Sequence, residues 1–518
     1  MLLSTLYNRS YLFALFLFAI FLFIGISTYQ DYGISWDETS QREIGLTSYR
    51  YIFEGDHTLD NYIERDHGVG FELPLIMIER ALRLSDSREI YLMRHIVSHI
   101  FFLFGCLCAF FLAQRRFQRI WISCLAFLML AMHPRLYAHS FFNSKDIPLL
   151  VMFMVSLLLW DMVLERKKTS WVLILGVAVG YTMSIRLLGI VLVAGISFFL
   201  LLNAIQARFQ KSTTKSTSPL HWLGILFIFL LTSSLSLYAF FPTLWAHPFH
   251  SIVACFESLS HFRWESNVWF QGVWILSFQL PASYLPVWIG ITTPVLWLLL
   301  GCIGIGMVIV SAIFYPYQSW LNLDQQQTLL WLFCTLAPIV AVIVQHSVVY
   351  DDWRHVYFIY PSFIMLACLA IHRLSKKKLA PIIATYLCLQ IGFLARHIIS
   401  LHPFEQVYFN RLVSHDNEYL RYHYELEYWG TSCFQGLEYL IAHAPQREIK
   451  IAWGKDPLNN NVNMLQKQDR DRIQFVDEKD ADYYVTFFRD HPEDYHYSNI
   501  FYEIKREGST ILRIYALH

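Results

Sequence analysis

Long uncharged runs of Leu, Phe, Ile and Val alternate with short polar connections along most of the chain, and only the last part breaks that rhythm. Crossing roughly 30 Å of hydrocarbon takes about 20 apolar residues in a helix. Runs of this kind lie near 11–28, 91–113, 120–136, 147–164, 171–186, 188–206, 220–241, 286–314, 327–345, 356–371 and 379–395. They predict about eleven membrane spans, the short neighbours at 171–206 being the least distinct. The first run is rich in Phe and poorly followed by small residues, so it is expected to stay as an anchor rather than be cleaved as a signal.

The polar segments carry patterns of their own. Residues 38–54 place Ile44, Tyr51 and Ile52 at helical spacing, and residues 70–84 do the same with Phe71, Leu75, Ile78 and Leu82. Such stripes predict two amphipathic helices, lying on a membrane surface or packed on the bundle. Residues 242–285 are rich in aromatics, including Trp245, Trp264, Trp269 and Phe270, which suit an interfacial belt or a surface that stacks on a sugar ring. From 396 to 518 polar residues dominate, with short β-like runs at 449–453, 472–476, 483–488 and 501–505 and a helical pattern over 435–443. The run at 501–505 is expected to pair with 510–515 across Glu507-Gly508. The predicted architecture is an all-α polytopic membrane module, residues 1–395, with amphipathic helices on its outer face. A small C-terminal α/β domain, residues 396–518, follows it and shows nothing catalytic by itself. There is no internal repeat, and the only low-complexity stretch is 211–218.

Basic residues orient the spans. Arg115, Arg116 and Arg119 share one connection, Arg166, Lys167 and Lys168 a second, Arg208, Lys211 and Lys215 a third, and Arg373 with Lys376 to Lys378 a fourth. All four fall on one side, with Arg9, if the N-terminus is cytoplasmic. The loops 29–90, 137–146, 242–285 and 346–355 and the C-terminal domain then lie outside the cytoplasm, which predicts a multi-pass protein of the inner membrane.

Composition agrees and excludes other classes. The chain is 55% hydrophobic and 15% charged, against about 25% charged in soluble proteins. Acids and bases balance at 40 each, so no bulk charge draws nucleic acid. The cysteines form no CxxC pair and no zinc spacing. Only Cys255 and Cys433 fall outside the spans, and a disulfide between them is an open option.

Candidate chemistry gathers on the expected outer face. Asp37-Glu38 follows the first span, and paired carboxylates at a membrane boundary are costly to bury yet suited to taking a proton. At most one of the two is expected to act as a base. Alternatively, Asp37 merely caps a helix beginning at Glu38. Asp146, in Asn143-Ser144-Lys145-Asp146-Ile147-Pro148, is likewise either a helix cap or a second acid of one outer cavity. Arg94, Lys145, Arg186, Arg354 and His355 lie on the same face, against the orientation rule, and an anionic ligand such as a lipid phosphate would explain the set. Local pairing of Arg354 with Asp351 or Asp352, and of Lys145 with Asp146, is the simpler reading of each alone.

Several of these residues stand in recognisable strings. They are Ser35-Trp36-Asp37-Glu38, Asn143-x-Lys145-Asp146-Ile147-Pro148, Tyr284-Leu285-Pro286-x-Trp288-x-x-x-Thr292-Thr293-Pro294 and Tyr350-Asp351-x-Trp353-Arg354-His355-x-Tyr357-Phe358. His402-Pro403-Phe404-x-x-Val407-Tyr408-Phe409-Asn410 and Tyr424-Glu425-Leu426-Glu427-Tyr428-Trp429-Gly430 follow. With them the chain, from about residue 30 to 440, resembles polytopic glycosyltransferases of the GT-C type. It stands close to bacterial relatives of protein O-mannosyltransferases and the lipid A aminoarabinose transferase.

The resemblance implies an inverting transfer of a sugar from a polyprenyl-phosphate carrier to an acceptor hydroxyl on a lipid, glycan or protein. Asp37 is the implied general base, and Asp146 helps to shape the site. Arg94, Arg186 or Arg354 would stabilise the leaving phosphate, and Glu72 is a further site candidate. A divalent metal is possible under the resemblance, with no ligand cluster to decide it. The competing class is a polytopic lipid transporter or flippase. It accounts less well for spans nearly free of charge and acids gathered on one face.

Overall fold

The computed structural model describes residues 2–209, 218–260, 266–375, 380–454 and 456–518. Lys211, Lys215, Trp264, Lys376 to Lys378 and the stretch 211–217 lie outside the described residues, as does the side chain of Arg9. The helices run α1 (Leu2–Thr28), α2 (Glu38–Phe53), α3 (Glu72–Ala81), α4 (Ser87–Phe117), α5 (Ile120–Ala131), α6 (Pro134–Phe142), α7 (Asp146–Arg166), α8 (Thr169–Ile185) and α9 (Ile190–Phe209). They continue as α10 (Pro219–Phe240), α11 (Pro248–Ser260), α12 (Tyr284–Thr292), α13 (Val295–Phe314), α14 (Pro316–Leu321), α15 (Leu323–Gln345), α16 (Tyr360–Leu374) and α17 (Ala380–Leu401).

Among the described residues, 9 helices are long and apolar enough to cross a membrane, 10 if the bent pair α5–α6 is one span, and α8 is a shorter apolar helix. The chain is a multi-pass membrane protein. Two expected features differ in detail. The run 286–314 is broken at Thr293-Pro294 into α12 and α13, because Pro forces its predecessor out of the helical region; Thr293 sits at ψ 136°. Most of the expected loop 137–146 is helix: α6 follows α5 at 62°. His133-Pro134 supplies the break and the new start.

The most enclosed spans are Asp146–Arg166 and Arg354–Leu374, 78% and 89% buried within the protein, whereas α1 and α17 are peripheral at 11%. A helix apolar all round belongs at the centre of a bundle. Both central spans therefore begin at a candidate site residue. At their far ends Arg115 pairs with Asp161 at 2.6 Å, and Arg116 reaches Thr328 at 3.1 Å, which gathers two of the basic connections at the opposite end of the bundle.

α8 and α10 form the tightest helix pair. Gly176 and Gly180, one turn apart on α8, face α10 so closely that a Cβ on either would collide with Thr232 or with the Ser233 carbonyl. Small residues at this spacing let membrane helices approach backbone to backbone.

The amphipathic stripes fold as α2 and α3, which pack on one another and on the bundle, burying Ile44, Leu75 and Ile76. Residues 242–285 hold α11 and an antiparallel hairpin, β1 (Asn267–Phe270) with β2 (Val273–Leu276). The C-terminal unit is a five-stranded mixed sheet built from β3 (Ile449–Ala452), β4 (Ile473–Val476), β5 (Tyr483–Thr486), β6 (Ile500–Arg506) and β7 (Ser509–Ala516), ordered β4-β3-β5-β7-β6. Glu507 and Gly508 form the β6–β7 turn, both at positive φ (51° and 72°), as a two-residue hairpin requires. The helix expected over 435–443 spans Cys433–His443. Cys255 and Cys433 are free buried thiols, so no disulfide joins them.

Replacing Gly180 by Leu forces α8 from α10 and is expected to cost about 1–3 kcal/mol. Gly224→Leu, at a position with no neighbour within 4 Å, is expected to be neutral. Thermal unfolding in detergent distinguishes the two.

Candidate active site

The turn Gly33–Asp37 is held from the C-terminal unit. Asn461 accepts from the Ile34 N–H at 2.8 Å and donates to the Ile34 carbonyl at 2.9 Å, and the Trp36 N–H donates to the Trp429 carbonyl at 3.0 Å. A Cβ on Gly33 would collide with the Thr431 carbonyl, so this close approach requires glycine.

The two adjacent acids then part company. Glu38 is buried; it accepts from the Ser35 N–H at 2.8 Å and meets His95 Nε2 at 3.1 Å. Ser35 precedes the N-cap position, so this bond closes the turn ahead of α2. Asp37 stands at the N-cap position yet makes no side-chain cap bond. Its Oδ2 instead accepts from Arg354 Nη1 at 2.9 Å, and its side chain is 34% exposed. Burial raises its carboxyl, but Arg354, then Lys145 and Arg489, outweigh that and hold it below the usual carboxylate range.

Asp146 is likewise not the cap of its helix. Asn143 Oδ1 accepts from the N–H groups of Lys145 and Asp146, at 3.3 and 2.9 Å, and starts α7. That frees the Asp146 carboxylate to pair with Arg186 and to lie 3.6 Å from Arg354 Nη1.

Arg354 is the meeting point. Besides Asp37 and Asp146 it reaches Asp351 Oδ2 at 3.1 Å, and its guanidinium lies over the rings of Trp429 and Tyr350, at 4.6 and 5.0 Å. It is 3% exposed. Asp351 and Asp352 both adopt left-handed backbone, φ 55° and 65°, which Asp tolerates better than most residues. Asp352 faces away from the site, toward Arg135 (2.7 Å), Tyr357 (2.8 Å) and Tyr428 (2.6 Å).

A cavity of about 360 Å³ opens at this cluster. Its polar end holds Asp37, Lys145, Arg186, Arg354 and the Asp66-His67 loop; Ile190 and Val191 of α9 and Pro338, Ala341 and Val342 of α15 line its apolar wall. His355 also lines it, against Tyr350 at 4.6 Å. Asp146 stands behind the cations rather than on the wall. No carboxylate lies within 4.0 Å of the Lys145 ammonium among the described residues. Burial, then Arg186, lowers its ammonium to about 7 against the pull of Asp37 and Asp146.

Arg94 and Glu72 stand apart from this cavity. They pair at 2.5 Å in a buried contact that also takes in Ser144, and so tie α3 and α4 to the loop before α7. Among the described residues no group of three or more His, Cys, Asp or Glu converges as metal ligands. Both site acids are engaged by guanidinium groups. Trp429 stood in a recognisable string with no role assigned to it, and Arg489 carried no signal, because their contact with the cluster depends on how the C-terminal unit docks.

Residues 77–238, which run from α3 through α10, match the family described as dolichyl-phosphate-mannose-protein mannosyltransferase. The match covers about a third of the chain. No curated protein matches it in sequence. Among solved structures it is similar to the oligosaccharyltransferase of Archaeoglobus fulgidus in its apo form. Identity there is 10% and the TM-score 0.48, over 90% of this chain and 65% of that one. The archaeal enzyme in complex with an inhibitory peptide and a dolichol-phosphate aligns at 10% identity and a TM-score of 0.42, over 87% and 63%. The chain thus spans less than two thirds of the length of those structures.

Replacing Glu38 by Ala removes the buried acceptor of the Ser35 N–H and strands His95 in the interior, and is expected to destabilise the fold by roughly 2–4 kcal/mol. Asp37→Asn, at a partly exposed position whose arginine keeps two other acids, is expected to change stability by less than about 1 kcal/mol. Unfolding midpoints of the two variants check this.

Proposed function

We propose that the chain is an inverting glycosyltransferase. It moves a sugar from a polyprenyl-phosphate carrier to an acceptor hydroxyl at the outer face of the cytoplasmic membrane, with Asp37 as general base. One observation carries this reading. An ionised, partly exposed carboxylate stands beside an incompletely neutralised cationic cluster, at the polar end of a cavity whose other wall is two membrane helices. The family match supports a prenyl-phosphate sugar as donor.

With Lys145 protonated, the cluster has one positive charge in surplus: Lys145, Arg186, Arg354 and Arg489 make four cations, and Asp37, Asp146 and Asp351 three anions. Nearby Glu425, buried and beside Asp351, has its carboxyl pushed up to about 8 and adds no full charge at neutral pH. A phosphodiester linking prenyl chain and sugar brings one negative charge. Its phosphate fits against Lys145 and Arg186, with the prenyl chain along Ile190, Val191, Pro338 and Val342.

In the transfer, the acceptor oxygen attacks the anomeric carbon from the side opposite the phosphate. The bond from that carbon to the phosphate oxygen breaks, and its electron pair leaves with the carrier phosphate. The hydroxyl proton passes to Asp37. Lys145, Arg186 and Arg354 stabilise the charge growing on the phosphate. Arg354 keeps Asp37 ionised at neutral pH, in the state that accepts a proton. A transport pathway would place ionisable groups at mid-membrane; here they gather at one end of the bundle.

The deciding experiment follows the lipid-linked sugar pool in cells lacking the protein. A polyprenyl-phosphate sugar is expected to accumulate, to fall when the wild-type chain is restored, and to stay high with Asp37→Asn. That variant is expected to lose about 10²–10⁴-fold in transfer rate. Full restoration by normally expressed Asp37→Asn would remove Asp37 as the base.

Lys145 adds a pH dependence. Its ammonium is charged below about 7 and neutral above. Donor affinity is therefore expected to fall as pH rises from 7 to 9, approaching about tenfold per pH unit. Lys145→Arg is expected to flatten that fall, as read from donor KM across the range.

A further inference from the structure

The C-terminal unit brings a cation, Arg489, to the site. Beyond β5 the chain turns at Phe488, which has left-handed backbone (φ 60°) and whose N–H donates to Thr486 Oγ1 at 3.1 Å. The turn sends Arg489 inward, where it is 10% exposed. Its Nη1 donates to the Tyr428 carbonyl, Nη2 lies 2.8 Å from Asp351 Oδ1, and its guanidinium lies over the Trp36 ring at 4.6 Å. Trp36 also meets the Phe487 ring, at 6.2 Å. Arg489 thus touches both halves of the candidate base's surroundings: the residue before Asp37, and the acid that shares Arg354 with it. It does not line the cavity.

The charges alternate along one line, Arg489, Asp351, Arg354, Asp37, with contacts of 2.8, 3.1 and 2.9 Å. Asp351 holds Arg354 by one oxygen, which leaves its other oxygen and its left-handed backbone to neighbouring groups. Arg489 engages that second oxygen, and Glu425 accepts from the Asp351 N–H at 3.1 Å. We propose that Arg489 is a positioning residue for the transfer reaction: by anchoring Asp351 it fixes the Arg354 guanidinium against Asp37. This rests on the glycosyl-transfer reading above.

The expected consequence is specific. Arg354, Lys145 and Arg489 face Asp37 as cations, and Asp351 and Tyr350 as its acidic neighbours. Removing the outermost cation, and loosening Arg354 with it, favours the protonated form of Asp37. Its titration therefore moves to higher pH, and the acid limb of the rate profile moves with it.

The test uses the full-length chain in detergent and the lipid-linked sugar that accumulates in cells lacking it. Arg489→Met is expected to lower kcat at least tenfold with donor KM within threefold, and to move the acid limb upward. Arg489→Lys is expected to recover at least a third of the rate. In an Asp351→Asn background, Arg489→Met is expected to cost less than threefold more, because the link it acts through is already cut. A folded Arg489→Met protein with wild-type kcat and acid limb would overturn the proposal and leave Arg489 as a docking contact only. If Arg489→Met does not fold, Asp351→Asn decides, with and without Arg489→Met. Equal rates, both at least tenfold down, support the proposal, and a wild-type rate in Asp351→Asn overturns it.

Infrared titration of the carboxyl band that disappears in Asp37→Asn gives a readout that needs no turnover. If wild-type protein transfers no sugar, the transfer reading fails by itself. An upward shift of that band in Arg489→Met then still supports the positioning contact, and an unmoved band overturns it.

Discussion

A guanidinium removed from water has to be answered by carboxylates, and Arg354 is answered by three. Asp37 comes from the turn after the first helix, Asp146 from the start of a central span, and Asp351 from Arg354's own strained turn. Without a shared cation these acids would repel one another at close range. With it, they bind distant parts of the chain to one point. Much of the local structure serves this arrangement: the Asn143 cap that frees Asp146, the Glu38 bond that closes the turn bearing Asp37, and the Arg135–Asp352 pair that holds the back of the turn.

The membrane explains why the cluster sits where it does. The two most enclosed spans begin at Asp146 and Arg354, so their ionisable groups lie at the boundary of the apolar bundle rather than within it. The cavity inherits both characters, with charged groups at one end and aliphatic side chains of α9 and α15 along the wall. The proposed donor, with a charged junction between a sugar and a long hydrocarbon, matches that division.

Much of this was legible in the sequence. Hydropathy located the spans, alternation located the strands, and Glu507-Gly508 marked its hairpin, because each is a local property of the chain. Asp37, Asp146, Lys145, Arg186 and Arg354 stood out as ionisable groups at span ends. Pairing was not legible. Capping by Asp37 or Asp146 was as good a local reading as chemistry; it took Asn143, three residues away, to cap α7 in place of Asp146, and Arg354, far along the chain, to engage Asp37. Arg94 and Glu72 looked equivalent to the site groups in one dimension but neutralise each other elsewhere. The break at Thr293-Pro294 was visible as a proline, yet only packing decides whether a proline interrupts a span or bends it. Arg489 had no local signal at all.

The turn between the last two strands has its own partners. Glu507 is held by His397, from the end of α17, and by His415, at 2.6 Å. The final hairpin is thereby fastened to the last membrane helix, and its sheet carries the segment that reaches Trp36 and Asp351. A ribosome delivers this chain from the N-terminus, and each span can enter the bilayer as it emerges. The constellation at the first turn nevertheless stays open until the closing residues have been synthesised and have folded back across the bundle. A chain halted after its last span would have its helices in place but lack Trp429, Asn461 and Arg489, so the turn bearing Asp37 would go unheld until the C-terminal unit had formed.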